Sequence, residues 1–177
     1  MYKKSIYFIY LLISIIAYFI FSVSFLLMYI DTDKTVQELN AINIVAGTMF
    51  WLGLIIGIFM QVLLSSSIKK FCSKNSARIL TLNKRKPGLI SFFQNRIASF
   101  FDITMIISLA GLIISIVLTD ASGFSCYIFT ALFVFCLCTH SIFNGNNYYF
   151  IKNKDKIINS LTKTRKTSFV LERKNKQ

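Results

Sequence analysis

Four stretches without a charged side chain constrain this chain more than anything else in it. They cover residues 5–30, 41–68, 103–119 and 124–143. A helix needs about 20 apolar residues to cross a hydrocarbon core of about 30 Å. The first two stretches run to 26 and 28 residues, and the third has 17 between Asp102 and Asp120. The third therefore has to borrow from its flanks or stand with little tilt. Composition agrees, with 55% hydrophobic and 15% charged residues, 18 Phe against one Pro, and a mean hydropathy of +0.61. Such a chain lies outside the range of ordinary water-soluble domains. The expected fold is an all-α integral membrane protein of four transmembrane helices in two antiparallel hairpins. Residues 1–151 make the membrane domain and residues 152–177 a basic tail.

The net charge of +13 is explained by position. Of 20 Lys and Arg, two precede the first stretch, eight lie in residues 69–102 and nine lie in the tail, which leaves Lys34 alone. With four crossings, the three basic regions fall on one side and Lys34 on the other. The positive-inside rule then puts both termini and the central loop in the cytoplasm. A plasma membrane, the inner membrane of a bacterium, is the expected location, and the richness in Ile, Lys and Asn fits an A/T-rich genome.

A signal peptide competes for residues 5–30, with Ser22-Val23-Ser24 as a weak cleavage site. The apolar core is nearly twice the length usual for one, so a retained first helix is expected. Residues 31–40 form the only sizeable exterior segment. Asp31 or Thr32 suits the end of the first helix, and Asp33 or Thr35 the cap of the second.

Within residues 41–68, Gly53, Gly57, Gln61 and Ser65 recur at steps of four and so share one helix face. Gly53 and Gly57 form a GxxxG pair that lets another backbone approach, and Gln61 adds a hydrogen bond to the seam. The third span has a similar stripe in Ser108, Gly111, Ser115 and Thr119. The Gly53/Gly57 and Gly111/Ser115 faces lie at matching depths and are expected to pack on each other.

The central loop holds Lys69, Lys70, Lys84, Arg85 and Lys86, then the only proline. Residues 89–101 follow, with Leu89, Phe93, Ile97 and Phe100 on one side and Gln94, Asn95 and Arg96 away from it. This pattern suits an interfacial helix before the third span, with an early start of that span as the rival reading. Basic groups near an anionic surface each contribute about 1 kcal/mol. Lys69, Lys70, Lys84, Arg85, Lys86, Phe93 and Arg96 are therefore the expected contacts to anionic lipid or an acidic partner. After the fourth span, Asn144-Gly145 marks a turn, and Tyr148, Tyr149 and Phe150 stand where an aromatic belt would sit.

Catalytic patterns are weak. His140 is the one histidine, which excludes multi-His metal cages within one chain. It shares a helix face with Cys136 and Asn144, where a satisfied polar contact between helices is the simpler reading than a metal or redox site. A Ser-His-Asp set would need Asp102 or Asp120, which stand at span ends. There is no GxxxxGK or GxGxxG. Asp102 reads as a boundary residue paired with Arg96 or a lipid amine, and no Asp, Glu, Lys or Arg lies inside a span. The four cysteines make no disulfide framework, and Cys72 is a weak acylation candidate. No enzyme activity, cofactor, metal or nucleic-acid partner is expected. The expected function is association, as an accessory, regulatory or protective subunit engaging another membrane protein or a second copy. The alternative is a small oligomeric transporter or channel for a neutral solute, lined by Gln61, Ser65 and Ser108.

Overall fold

The structure is a computed structural model that describes residues 3–29, 35–74, 96–119, 123–143, 150–151 and 159. Among these, regular structure is entirely helical: α1 (Lys3–Leu27), α2 (Val36–Lys74), α3 (Arg96–Thr119) and α4 (Phe124–Phe143). All four are long and apolar enough to cross a membrane.

Local chemistry sets the helix ends. At α1, the amides of Met28 and Tyr29 bond back three residues to Phe25 and Leu26 at 3.3 and 3.4 Å, tightening the last turn. The start of α2 is a capping box. Thr35 Oγ1 accepts from the Glu38 amide at 3.4 Å, and Glu38 Oε2 accepts from the Thr35 amide at 2.9 Å. This reciprocal pairing satisfies amides that have no partner within the helix. At α3, the hydroxyl of Thr119 donates to the Ser115 carbonyl at 2.7 Å. The Cys126 amide bonds the Gly123 carbonyl at 3.0 Å as α4 begins.

Two boundaries differ from the sequence reading. The second helix has 39 residues, roughly 58 Å of axial rise, against a hydrocarbon core of about 30 Å. It continues through Lys69, Lys70 and Lys74, so these belong to its last turns rather than to a loop. The third helix begins at Arg96, so residues 96–101 are its first turns and supply the flank that a 17-residue apolar run lacked. Residues 89–95 of the expected interfacial helix, Phe93 among them, lie outside the described residues.

Along α1, Tyr7, Leu11, Ser14, Tyr18 and Phe21 are buried at spacings of four and three, with Ala17, Ser22 and Ser24 buried beside them. On α2 the corresponding buried set is Ala46, Gly53, Gly57, Leu64 and Ile68. Spacings of three, four and seven keep such residues on one face along a neighbouring helix. Backbone approach runs in opposite residue order along the two helices, with Ser14 at Gly57 and Phe21 at Gly53 and Phe50, while the long Tyr18 side chain reaches back to Gln61. The same reversal holds between α3 and α4, from Thr119 with Cys126 through Gly111 with Phe129 to Asp102 with His140. It holds again between α1 and α4, where Phe19 meets Phe135 and Tyr29 meets Tyr127.

Extensive packing among the described helices is thus α2 on α1, α1 on α4 and α4 on α3. In space α1 and α4 are the inner helices, and α2 and α3 the outer ones. This corrects one expectation: the two glycine faces do not meet. The face of Gly53 and Gly57 is filled by α1, and Gly111 is covered by Phe129 of α4. A small residue permits close approach without naming the helix that approaches.

One buried apolar cluster joins α1, α2 and α4. Tyr7 and Leu11 of α1, Leu64 and Ile68 of α2, and Ile142 of α4 enclose Phe150, which is fully buried. Edge contacts join Phe150 to Tyr7 and Phe71 at ring separations of 5.8 and 5.5 Å. Phe150 therefore closes the bundle from within rather than standing in an aromatic belt; Tyr148 and Tyr149 lie outside the described residues.

Candidate functional site

Several hydroxyls in the described helices are satisfied locally. Ser22, Ser24, Thr48, Thr104, Ser108 and Thr139 each donate to a carbonyl three or four residues back. This back-bonding lets a hydroxyl sit in an apolar setting without a second helix. Ser108, considered above as part of a solute path, is buried with its hydroxyl bonded to Thr104 at 2.7 Å.

Thr119 Oγ1 of α3 meets Cys126 Sγ of α4 at 3.6 Å, and a larger set of side-chain bonds between helices gathers at the last turn of α4. His140 Nδ1 pairs with Oδ1 of Asp102 on α3. The exposures are 0% for Asp102 and 4% for His140. With the carboxylate as acceptor, Nδ1 carries the hydrogen and the ring orientation is fixed by α3. Ser141 is the next residue, about 100° around the helix, and so faces another neighbour. Its hydroxyl accepts from Gln61 Nε2 of α2 at 3.2 Å and donates to the Cys138 carbonyl at 2.6 Å. Gln61 Oε1 in turn accepts from the Tyr18 hydroxyl of α1 at 2.7 Å. One turn of α4 thereby links side chains from all four helices. Between α1 and α2, Ser14 Oγ also donates to the Gly57 carbonyl at 3.1 Å.

Asp102 is a correction to the sequence reading. It is not a boundary residue facing Arg96 or lipid, because α3 begins six residues earlier and turns its carboxylate into the α3–α4 contact. Arg96 is exposed at the first position of the helix. The signal that would have found this is modest: continuing the face of Ser115 and Ser108 towards the start of α3 passes Met105 and reaches Asp102. Those residues are the helix's buried set together with Ala98. An acid on the packed face of a span needs a partner, and His140 is the one imidazole in the chain.

The remaining site residues fall as follows. A Cβ placed on Gly53 would stand 2.6 Å from the Phe21 amide nitrogen and 2.7 Å from the Ala17 carbonyl oxygen. At Gly57 it would meet the Tyr18 ring, and at Gly111 the Phe129 ring. Ser115 is buried on α3. Lys69 and Lys70 are exposed in the final turns of α2. Lys84, Arg85 and Lys86 lie outside the described residues, as does Asn144. Cys136 is buried, one turn before His140. Among the described residues, no three His, Cys, Asp or Glu side chains gather as metal ligands.

A second feature lies on α2. Ile58, Gln61, Val62, Ser65, Ser66 and Lys69 line a groove of about 420 Å³. It runs along one side of the helix from apolar residues to a basic one. Comparison with family models, with curated proteins and with solved structures found no match.

Proposed function

We propose that this chain is a multi-pass protein of a cell membrane that acts by association, as an accessory, regulatory or protective subunit of a membrane complex. In this reading α1 with α2 and α3 with α4 are two antiparallel hairpins. Both termini and the segment that joins α2 to α3 face the cytoplasm, as nineteen of 20 basic residues favour. Lys69, Lys70, Lys84, Arg85 and Lys86 engage anionic lipid there.

The observation that carries the reading is the open row of helices. Among the described residues, α2 packs extensively on α1 alone, and α3 on α4 alone. Each outer helix keeps a broad apolar side free for a neighbour: Trp51, Ile55 and Phe59 on α2, and Ile106, Ile113 and Val117 on α3. Association in lipid works through such packing, since apolar contact with lipid tails is its only competitor. The test is purification of the full chain in mild detergent at native expression, with native mass and mass spectrometry of what accompanies it. A stoichiometric membrane protein or a defined homo-oligomer supports association; a bare monomer at all concentrations ends it.

The Asp102–His140 pair favours a second reading, an oligomeric transporter or channel, because an ionisable pair inside a bundle is a feature of solute and proton paths. It requires solute flux in proteoliposomes that falls with His140→Leu or Gln61→Leu. Unchanged flux in both variants would remove these residues from any path.

A further inference from the structure

We propose that the groove on α2 is a binding site for one anionic phospholipid. This rests on the reading that the helices cross a bilayer, and it adds a defined site to that reading.

Residues 41–68 carry no charge and Lys69 is the first ionisable group after them, so Lys69 marks where α2 leaves the hydrocarbon. A lysine at that level extends its stem along apolar surface and keeps its ammonium among the head groups. From Ile58 to Lys69 the groove covers roughly 16 Å of helix, close to half of a ~30 Å core and so the depth of one leaflet. Its lining changes along that length as a phospholipid does. Ile58 and Val62 are exposed apolar side chains at acyl-chain depth. Ser65 and Ser66 bring hydroxyls and Lys69 an ammonium at the level of the phosphate.

The Ser66 hydroxyl and the Lys69 ammonium are both donors able to bond phosphate oxygens. Gln61 forms the inner wall, since its amide is held by Tyr18 and Ser141. The sign of the head group follows from charge. Residues 39–101 contain no Asp or Glu, so this part of the chain offers cations to a phosphate and no carboxylate to a head-group amine. An anionic head group such as phosphatidylglycerol is favoured over zwitterionic phosphatidylethanolamine.

The test uses the full chain, incorporated into membranes of equal phosphatidylglycerol and phosphatidylethanolamine and then exchanged exhaustively into mild detergent. Native mass spectrometry counts the lipid kept. The wild type is expected to keep one phosphatidylglycerol per chain. Lys69→Gln combined with Ser66→Leu should lower its occupancy at least tenfold, and Lys34→Gln, which removes one positive charge outside the basic regions, should keep it. Val62→Trp fills the acyl part of the groove with the charges intact and should displace the lipid as well, with helicity by circular dichroism unchanged. Retention of no lipid, equal retention of both lipids, or equal loss from Lys34→Gln would overturn the site. Alkaline carbonate extraction of the starting membranes separates the two failures. A chain that stays in the membrane and keeps no lipid loses only this site, and a chain that is extracted loses the membrane reading with it.

Discussion

The α1–α2 and α3–α4 interfaces join helices of similar composition by opposite means. Between α1 and α2 the contact is neutral, with the Gly53 backbone against that of Ala17 and Phe21, and hydroxyl and amide bonds from Ser14, Tyr18 and Gln61. Between α3 and α4 the centre is an acid and an imidazole, flanked by the stacked rings of Phe101 and Phe143 at 5.5 Å and by Phe129 over Gly111. Lipid supplies little hydrophobic drive between helices, so each pair relies on what its surfaces offer. A neutral seam is sensitive to added volume. An acid–imidazole clamp is sensitive to loss of either partner.

The largest effect is expected where the comparison is sharpest. Asp102→Ala removes this partner from a water-excluded imidazole, and breaking a buried pair from one side costs about 3–5 kcal/mol. His140→Ala should cost a similar amount. Replacing both by leucine removes the two polar groups together and should cost less than the sum of the single losses. Unfolding of the purified chain in mixed micelles measures all three. Single losses below about 1 kcal/mol, or a double variant as unstable as the sum of the singles, would show that the pair does not clamp the helices.

The neutral seam should fail through volume. Gly53→Ala places its methyl against backbone atoms of Phe21 and Ala17, which can yield only if α1 and α2 separate. Overpacking of this kind costs about 1–3 kcal/mol. Gly57→Ala meets the side chain of Tyr18 instead, and a ring can rotate where a backbone cannot. Gly53→Ala is therefore expected to lose more stability than Gly57→Ala in the same micelle assay. The reverse order would mean that the Tyr18 ring, fixed by its bond to Gln61, is the stiffer wall.

A smaller effect tests whether α4 links the two interfaces. Gln61→Leu removes the bonds to Tyr18 and Ser141 together. Hydrogen bonds between membrane helices average about 0.6 kcal/mol with a maximum near 1.7, so a loss on the order of 1 kcal/mol is expected. Tyr18→Phe leaves the Ser141 bond and should lose less. If the polar layer acts as one unit, combining Gln61→Leu with His140→Ala gives a loss different from the sum of the two. Additive losses would make the interfaces independent.

How much of this was legible in the sequence depends on range. The four helices were, because a charge-free run is a local signal that lipid turns into a helix. The overrun of α2 through Lys69 and Lys74 was not, since a lysine in the sequence neither requires nor forbids helix. Thr35 was visible as a cap, and the threonine with Glu38 three residues on completes the box. Gly53 and Gly57 announced a close approach. Their partner could not be read, because a missing side chain carries no address, and the expected partner face on α3 proved to be occupied by α4. The Asp102–His140 pair was the hardest, since 38 residues separate the two. Neither α3 nor α4 alone shows that its polar residue faces the other.

Gly47 offers the smallest test, and it isolates what the other glycines do. It lies on α2 six residues before Gly53, and a Cβ there would meet nothing within 4 Å. Without a close neighbour, the glycine contributes only its backbone freedom, which disfavours helix by up to about 1 kcal/mol relative to alanine. Gly47→Ala should therefore leave stability unchanged or raise it by a few tenths of a kcal/mol to about 1. The same substitution would then have opposite signs at positions 47 and 53 of one helix. A loss at Gly47 comparable to that at Gly53 would mean that glycine matters along α2 for a reason other than approach to α1, and that a further helix comes close at position 47.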